Sequence, residues 1–495
     1  MTEADMTESS YDVVVVGAGI AGLSAALSAR ERGARVALVD RATAAASGGN
    51  TRYTEAYLRM KSIDEPSDDL AERLLDDFQG YPDPGVLVGT LADRAQWDGP
   101  TATLNIVDQG YVSTLLEQAG PTLRWIGGFG VSFDALPTAF PTTSTTRLMP
   151  IGGGLALVEA LTKAAHANGV EFRYETTARD LLVEDGEVRG LHTVGPTGTL
   201  TLRGRVLLAC GGYEGNSELL ARYHGDKGML CRPVARGGHY NKGEGIEMAL
   251  AAGATTAGNF ALFHAEPVDP RSGQAEAAIF AFPYGILVNA AGERFTDEAP
   301  GPADAWYERI TRLIHAQPRG IAYLILDAEA QRVPKIRASI RTDQPPIVGT
   351  DLAELAAGLE VSAETLTATV TAFNAACRPG TFDHSAPDGL ATQGLTPPKS
   401  NWARPVENGP LHAYPIMTAN VFTFGGLRTD EHAHVLDRDG RAIPGLFAAG
   451  EITGLYYSNY TGSTSVLRGA VFGRIGGRVA AASAAASSDA AVTSA

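Results

Sequence analysis

Residues 11–40 read YDVVVVGAGIAGLSAALSARERGARVALVD, and this stretch decides the fold. It begins with a run of β-branched residues, passes through a glycine-rich turn into an alanine-rich segment, and ends in a second apolar run at 35–39. Continuous apolar runs of this kind are typical of strands buried on both faces of a parallel sheet. The sequence therefore predicts a strand–helix–strand unit, with its first strand at 11–16 and its helix ending near Gly33.

The turn after the first strand, GAGIAG, has its glycines at the spacing of a dinucleotide-binding site. We expect one glycine to make the tight turn, one to let a diphosphate approach the backbone, and one to allow close packing of the helix on the strand. The helix N-terminus offers free amides and the positive end of its dipole to the diphosphate. Asp40 is placed to accept hydrogen bonds from a ribose hydroxyl. The predicted dinucleotide site comprises Gly17, Ala18, Gly19, Gly22, Asp40 and Arg41.

Length and charge limit the classes of partner. The 495 residues suit two or three domains. With 40 basic and 56 acidic side chains the net charge is -16, which argues against nucleic acid and against polybasic docking on anionic lipid. No apolar run approaches the roughly 20 residues of a membrane span, and the N-terminus MTEADMTESS has no export signal. We expect a cytoplasmic protein without a membrane span, acting on a small molecule.

The three cysteines are Cys210, Cys231 and Cys377. Their odd number and wide spacing predict neither a disulfide framework nor a metal-binding set. A reducing compartment and no metal site are the natural expectation.

Three more glycine-containing segments follow the first unit. SGGNT at 47–51 is a small-residue loop, where the backbone could lie along a flat cofactor. VLLACGGY at 206–213 and GLFAAGE at 445–451 are buried strands that end in glycines, and a last helix is predicted to begin near Ser465.

Together these segments resemble the flavoprotein family of fumarate reductase and succinate dehydrogenase, from residue 11 to about 480. Within that family the chain is most similar to the tricarballylate dehydrogenase group. The resemblance implies an α/β fold, in which a Rossmann-type, glutathione-reductase-like FAD-binding domain carries an inserted α+β capping domain. The motifs that carry the resemblance are SGGNTRYT at 47–54, YNKGEGIEMAL at 240–250, EPVDPRS at 266–272, GILVNAAGERFTDE at 285–298, FTFGGL at 422–427 and NYTGSTS at 459–465.

The resemblance also implies a domain order. Pro-rich, irregular segments begin near 257, and we expect the cap there, with helices near 304–316 and 363–376. Substrate would lie between the cap and the isoalloxazine. The predicted divisions are 1–256 for the first part of the FAD-binding domain, 257–410 for the cap, 411–480 for the second part of the FAD-binding domain, and 481–495 for a disordered tail.

FAD is the implied cofactor. In the family the last helix directs its N-terminus at the flavin pyrimidine ring, which matches Ser465 and Val466. Glu451 corresponds to the acid that holds the ribityl chain. Covalently flavinylated relatives carry a histidine in the early loop, and 44–54 contains none, so non-covalent FAD is expected. The remaining expected FAD contacts are Ser47, Gly48, Gly49, Asn50, Thr51, Ala209, Cys210, Gly211 and Gly450.

The sequence departs from fumarate reductases at three charged positions. Their proton-donor arginine follows an acidic motif, but here Glu298 is followed by Ala-Pro-Gly-Pro. Their histidine is replaced by Phe422 and their clamp arginine by Tyr460, which argues against a plain fumarate reductase. Tyr460 is the first candidate for catalysis, as base or as hydrogen-bond donor. The alternative for Tyr460 is an aromatic side chain that packs on the flavin.

Other candidates have two interpretations each. Arg309, on a predicted cap helix, could bind a carboxylate or be a solvated charge, and His264 could contact substrate or belong to a proton relay. Arg294 and Glu298 could form an ion pair that holds the cap to the flavin domain. Cys210 is expected to be a small buried residue beside the adenine, not a redox thiol. The candidate substrate-binding residues are Arg52, Tyr53, Arg236, Phe422 and Thr423.

The resemblance implies a dehydrogenase that oxidises a CH–CH unit beside a carboxylate or carbonyl, on tricarballylate or a related small molecule, by removal of an α-proton and hydride transfer to flavin N5. One alternative is an ene-reductase fed by a separate reductase, and another is an oxidase acting on a specialised metabolite. A flavin-storage or electron-transfer subunit would not need a cap of about 150 residues. Reoxidation requires oxygen, quinone or a partner.

Overall fold

The computed structural model describes residues 7–78, 96–97, 101, 109–135 and 147–493. Its strands are β1 (Thr7–Val16), β2 (Val36–Val39), β3 (Phe133–Ala135), β4 (Leu148–Pro150), β5 (Glu171–Arg173), β6 (Thr177–Glu184), β7 (Glu187–Gly195), β8 (Gly198–Leu208), β9 (Arg232–Pro233), β10 (Thr256–Ala257), β11 (Phe263–Val268), β12 (Ile286–Asn289), β13 (Ile321–Leu326), β14 (Ile347–Gly349), β15 (Leu411–Thr423), β16 (Gly426–Leu427), β17 (His434–Leu436) and β18 (Ala442–Ala448). Its α-helices are α1 (Ile20–Arg30), α2 (Leu70–Phe78), α3 (Gln109–Gly127), α4 (Gly153–Ala167), α5 (Ser217–His224), α6 (Glu244–Ala251), α7 (Ala303–Ala316), α8 (Leu352–Leu359), α9 (Ala363–Ala376) and α10 (Ser465–Thr493).

The larger sheet has the strand order β17-β18-β8-β1-β2-β5, and the β6–β7 hairpin joins it at β8. Strand β1 runs parallel to β2 and to β8, with Val13 opposite Val36 and Arg205. Strand β18 is parallel to β8. The carboxyl ends of these parallel strands meet at one edge, which is where open α/β sheets bind their ligands.

Both faces of β1 are buried, as the apolar run predicts. Val13 and Val15 belong to one core cluster with residues of α1 and α4, whereas Val14 and Val16 belong to a second cluster on the opposite face, with residues of β8. Successive side chains of a strand point to opposite faces, so a run of four valines supplies both clusters. Burial of each valine stabilises the fold by roughly 1.5–3 kcal/mol.

A second sheet forms the cap, in the order β11-β15-β13-β12, with β9 and β14 also paired to β15. The sequence predicted that the chain returns to the FAD-binding domain near Leu411. That boundary does not match the sheet pairing, because β15 (Leu411–Thr423) is antiparallel to β11 and β13 throughout. An apolar strand pattern does not specify which sheet the strand joins, so only the tertiary structure shows that β15 belongs to the cap sheet.

The observed helices agree with those expected from the sequence except at the C-terminus. The cap helices expected near 304–316 and 363–376 are α7 and α9, and α10 begins at Ser465 as expected. The disordered tail expected from 481 is wrong for the residues up to Thr493, because α10 continues through them. Alanine favours helix strongly, and Ala481 is buried against the core. Small residues let α10 approach α1 closely: a Cβ at Gly477 would lie 2.1 Å from the Ala25 carbonyl oxygen.

Candidate active site

The glycine-rich turn between β1 and α1 has the geometry that its sequence predicts. Gly17 has a φ of +101°, and a Cβ there would lie 2.4 Å from the Ala209 carbonyl oxygen. A Cβ on Gly22 would lie 1.9 Å from the Gly17 carbonyl oxygen, so this glycine allows the helix to pack on the turn. The nearest atom to a Cβ on Gly19 would be 3.7 Å away, on Thr51. The backbone at Gly19 is therefore open to an approaching diphosphate.

Asp40 organises the loop that follows β2. Its carboxylate accepts hydrogen bonds from the Ala18 amide at 3.0 Å, the Ala42 amide at 2.8 Å and the Ser47 hydroxyl at 2.9 Å. Burial raises the pKa of Asp40, and these donors oppose that effect. Asp40 also lines the cleft above the turn, as a ribose-binding acid must. Arg41 forms an ion pair with Glu244 at 2.8 Å.

Two buried carboxyl groups meet farther along the cleft, and the sequence predicted only one of them. Glu451 accepts hydrogen bonds from the Thr423 amide at 3.0 Å and from Asn241 Nδ2 at 3.2 Å. Glu214, which was missed, accepts from the same Asn241 nitrogen at 2.6 Å and from Asn50 Nδ2 at 2.8 Å. Burial and the neighbouring Glu451 raise the pKa of Glu214 well above its usual range.

The structure brings most of the expected FAD contacts to one cleft. Gly22, Ser47 and Gly48 lie outside its lining: a Cβ on Gly48 would be 2.8 Å from Val158, and Ser47 is bonded to Asp40. Burial raises the pKa of the Cys210 thiol to about 12, so it is a neutral wall residue. The expected residues that line the cleft are Gly17, Ala18, Gly19, Asp40, Arg41, Gly49, Asn50, Thr51, Ala209, Cys210, Gly211, Gly450, Glu451, Ser465 and Val466.

The N-terminus of α10 is occupied by a phenol. The Tyr460 hydroxyl accepts hydrogen bonds from the Thr464 amide at 3.1 Å and the Ser465 amide at 3.2 Å, and donates to the Ser465 hydroxyl at 3.1 Å. These amides are helix-terminal donors without an intrahelical partner, so the phenol caps the helix. Tyr460 is thus tied to the helix that was expected to face the flavin.

A second cavity lies beneath the cap and shares Thr54, Val421, Ser465 and Val466 with the dinucleotide cleft. We call it the cap pocket. Because the two cavities share these four residues, a ligand in the cap pocket would lie next to a cofactor bound in the cleft. Its other lining residues include Glu55, Tyr57, Arg147, His264, Glu266, Glu276, Phe280, Asp304, Tyr307, Arg341 and Tyr460.

His264 lies in the wall of the cap pocket and is only 4% exposed. Its Nε2 is 2.6 Å from the Tyr307 hydroxyl, and its Nδ1 has no hydrogen-bond partner among the described residues. Burial, together with the charge of Arg312, lowers the pKa of His264 to about 3, so the ring is neutral. The His264 and Tyr460 ring centroids are 4.3 Å apart. The structure thus brings two of the expected catalytic residues together.

One side of the cap pocket carries three carboxyl groups, Glu55, Glu266 and Glu276, which we call the acid wall. Arg341 contacts Glu55 at 2.9 Å. Burial raises the pKa of Glu266 to about 7. Burial and the charge of Glu266 raise that of Glu276 to about 8. None of the acid wall was predicted as a site.

Four residues expected to be catalytic or to bind substrate, Arg309, Arg236, Arg52 and Tyr53, line neither cavity. Arg309 is exposed, with its guanidinium 5.4 Å from the Trp306 ring, and Arg236 is exposed on a short helix. Arg52 donates to the Ser47 carbonyl at 3.4 Å. Tyr53 packs against the cluster around Val234. The sequence shows that an arginine carries a charge, but it does not show on which side of a helix or loop the side chain lies.

The remaining two expected substrate contacts, Phe422 and Thr423, lie close to the site. Phe422 lines the dinucleotide cleft, with its ring centroid 5.0 Å from that of Tyr460, and Thr423 binds Glu451 through its amide. The expected ion pair between Arg294 and Glu298 forms at 2.7 Å. It does not hold the cap to the FAD-binding domain, since its other bonds go to cap residues such as Pro397.

One signal for the missed acid wall was present in the sequence. His264 and Glu266 are two residues apart on β11, and alternate residues of a strand face the same side. Had the strand been recognised, a site at His264 would have indicated Glu266 beside it. Glu55, Glu276 and Arg341 come from separate loops, and their meeting depends on the tertiary fold.

The cleft has the geometry of an FAD-binding flavoprotein. The chain belongs to the FAD binding domain family, whose sequence profile matches residues 12–467. The cleft fits FAD, because Gly19 leaves room for a diphosphate and two buried oxygens, Asn50 Oδ1 and Glu214 Oε2, have no hydrogen-bond partner among the described residues.

Individual relatives have different activities. NADH:acrylate oxidoreductase of Vibrio harveyi is 27% identical over 527 residues, which cover 95% of this chain and 50% of the relative. The 3-oxosteroid 1-dehydrogenase of Mycolicibacterium smegmatis is 25% identical, with 90% of this chain and 93% of the relative covered. The solved open conformation of a flavocytochrome c3 fumarate reductase is 26% identical, with a TM-score of 0.74 over 97% of this chain and 79% of that one. This chain thus spans half the length of the Vibrio harveyi relative.

Two kinds of feature are absent from the described ranges. None of the described helices combines the length and apolar character needed to cross a bilayer. Likewise, no group of three or more His, Cys, Asp or Glu side chains in the described part of the chain could hold a metal ion.

Proposed function

We propose that this protein is an FAD-dependent oxidoreductase that adds or removes hydrogen at a CH–CH bond beside a carbonyl or carboxylate. The observation that carries the proposal is the meeting of Tyr460, His264 and Tyr307 in the cap pocket, whose wall continues into the FAD cleft through Ser465 and Val466. Chemistry at such a bond needs one group for a proton beside the place where the cofactor acts. The three side chains supply that group.

FAD, when bound, accepts or supplies the hydride. The Tyr460 hydroxyl can donate to a substrate carbonyl by turning away from Ser465 Oγ, because a hydroxyl rotates while its oxygen keeps the two helix amides. Bonds to two backbone amides fix the phenol oxygen at one point of the pocket. Tyr460 is thus suited to orient and polarise a carbonyl.

His264 is suited to move a proton rather than to store one. The ring stays neutral because its pKa is lowered to about 3 by burial. It can take a proton at Nδ1 while it gives one from Nε2 to the Tyr307 oxygen 2.6 Å away, provided that the Tyr307 hydroxyl proton passes at the same time to an acceptor in the cap pocket. The reverse sequence supplies a proton to the pocket. The ring then never holds a charge away from water.

The direction of the reaction is a second part of the proposal. The dehydrogenase direction agrees with the similarity to a 3-oxosteroid 1-dehydrogenase, whereas NADH:acrylate oxidoreductase and the flavocytochrome fumarate reductase favour the reductase direction. Three relatives share about nine tenths of their length with this chain: a vinyl phenol reductase, a 3-oxosteroid 1-dehydrogenase and a 4-oxocyclohexanecarboxylate 2-dehydrogenase. We propose the dehydrogenase direction because two of these three are dehydrogenases. A tricarballylate-like polycarboxylate has little support from the pocket, in which the described arginines Arg147 and Arg341 are outnumbered by the acid wall and Asp304.

The test is an anaerobic titration of the FAD-loaded enzyme, followed by flavin absorption. The panel holds saturated ketones, saturated carboxylic acids and amino acids. Bleaching by one compound supports the dehydrogenase, and reoxidation of chemically reduced enzyme by an unsaturated acid or enone supports the reductase. If neither occurs with any member, the proposed reaction is wrong.

Variants then test the residues. Tyr307→Phe removes the relay partner of His264, and we expect the bleaching rate to fall about a hundredfold or more, as for loss of a general acid–base group. Tyr323→Phe, on β13 and outside both cavity linings, is the matched control. Equal rates for the two variants would remove Tyr307 from the mechanism.

A further inference from the structure

The cap pocket has unequal charge at its two ends. Arg147 interacts electrostatically with Asp304 and donates from Nε to Ser463 Oγ at 2.9 Å. Arg341 is the only arginine among the described residues that lines the pocket beside the acid wall, and it pairs with Glu55. One guanidinium therefore faces three carboxyl groups. That end of the pocket therefore has two more carboxyl groups than basic side chains.

The acid wall is partly buried: its three residues are half-buried, and the Glu55 side chain is 37% exposed. Glu266 Oε2 is a buried atom without a hydrogen-bond partner among the described residues, and Nδ1 of His264, a residue only 4% exposed, is equally unpartnered. Buried polar atoms are nearly always paired, by protein or by ordered water. These two atoms, on the same face of β11, therefore mark a place where a bound ligand or water supplies the missing partners.

Glu276 supports this interpretation by its backbone. Its φ is +50°, in a region that costs energy for any residue except glycine. The residue nevertheless carries a long acidic side chain into the pocket. A strained position is retained where the surrounding structure or a function requires that particular side chain.

The protonation of the acid wall is consistent with a ligand site there. The pKa of Glu266 is raised to about 7 and that of Glu276 to about 8, because burial and mutual repulsion disfavour a second and third negative charge. At pH 7 Glu276 therefore holds its proton most of the time and Glu266 about half of the time. A bound cation favours release of those protons, because it stabilises the ionised carboxylates.

We propose that the substrate carries a protonated amine, which binds at the acid wall while its carbonyl or carboxylate lies toward Tyr460 and Arg147. An ammonium group has three donors and suits several carboxyl groups spread along a wall. Metal ions are a poorer match, since no group of the described His, Cys, Asp and Glu side chains could hold one. The proposal rests on the proposed function, because it takes the cap pocket as the substrate site.

The test measures binding, so that it is independent of turnover. The oxidised FAD-loaded enzyme is titrated at pH 7 with γ-aminobutyrate, γ-hydroxybutyrate and succinate, and binding is followed by calorimetry and by the flavin spectrum. The three probes share a carbon skeleton and a carboxylate, and differ in carrying a cation, a neutral hydroxyl or an anion. We expect γ-aminobutyrate to bind about tenfold or more tighter than γ-hydroxybutyrate, and succinate to bind weakest.

Two further measurements locate the effect. Binding of γ-aminobutyrate should release protons, seen as a dependence of the heat on the ionisation enthalpy of the buffer. Glu266→Gln and Glu276→Gln should bring the ratio of the two affinities close to one. Glu247→Gln, at an exposed position of α6, is the control and should leave the ratio unchanged. FAD content and the thermal transition show that each variant is folded.

The proposal is overturned if succinate binds tightest, if γ-aminobutyrate does not bind, or if the wall variants leave the ratio unchanged. Its failure is distinguishable from failure of the proposed function. If an uncharged ketone bleaches the flavin while the cation preference is absent, the oxidoreductase stands and the substrate class falls.

Discussion

Tyr460→Phe separates the two roles that the structure gives to this phenol. The substitution removes the oxygen that accepts the Thr464 and Ser465 amides at the start of α10. Thr464 is fully buried, so its amide has no access to water, whereas Ser465 is partly exposed in the cleft. The change therefore affects stability and chemistry at the same time.

The magnitude follows from the two donors. A buried donor left without an acceptor costs about 1–3 kcal/mol, and the partly exposed Ser465 amide should cost less, so we expect a total loss of about 2–4 kcal/mol. At about 2.1 cal/mol/K of unfolding entropy per residue, this corresponds to a fall in Tm of about 2–4 °C for 495 residues that unfold together. If Tyr460 polarises the substrate, the rate of flavin bleaching should also fall by about a hundredfold or more.

The matched control is Tyr456→Phe. The Tyr456 hydroxyl bonds to Thr464 Oγ1 at 2.7 Å, but Thr464 Oγ1 also donates to the Thr461 carbonyl at 2.6 Å and keeps that bond. We expect a loss of only about 0.5–1.5 kcal/mol and little change in rate. Thermal unfolding of the apoprotein and anaerobic stopped-flow of the FAD-loaded enzyme are the assays. If Tyr460→Phe and Tyr456→Phe have the same Tm and the same rate, the capping and the polarising roles are both wrong.

Three other expectations follow from the same geometry. Gly22→Ala places a Cβ 1.9 Å from the Gly17 carbonyl oxygen and should abolish FAD binding, read from the ratio of flavin to protein absorption. Gly127→Ala, at a position with no atom within 4 Å of the added Cβ, is the control, and FAD retained by Gly22→Ala would contradict the packing role. The pKa values of Glu266 and Glu276 are raised from 4.5 to about 7 and about 8, so the folded apoprotein binds more protons than the unfolded chain between about pH 5 and pH 8. Its Tm should therefore fall as pH rises through that window. The fall should be smaller in Glu266→Gln, and an unchanged slope would count against the raised pKa. Because the loop 44–54 has no histidine, heat or acid should release all of the flavin into the supernatant, and flavin that stays with the precipitated protein would show a covalent link.

Local patterns predicted the elements that build the cofactor cleft. The glycines of the first turn, the buried valine run and the start of α10 at Ser465 all depend on residues close in sequence. Gly22 must be glycine because a Cβ would clash with the turn of the same unit, and this requirement is visible in the sequence itself. The same holds for α7 and α9, whose bounds match the expected helices closely.

Long-range placement was not predictable in the same way. The membership of β15 in the cap sheet, the continuation of α10 to Thr493 and the exposure of Arg309 all depend on which partner each segment meets. Sequence periodicity describes a face of an element but not the surface that covers it.

The sequence by itself thus determined a dinucleotide-binding unit, because its chemistry lies in backbone shape and in residues a few positions apart. Tertiary structure alone decided the pocket. It paired His264 with Tyr307, placed Tyr460 on the end of a helix, and assembled the acid wall from β11 and two loops distant in sequence. A pKa near neutrality for Glu266 arises from burial and from neighbouring charges, and both exist only once the chain has folded.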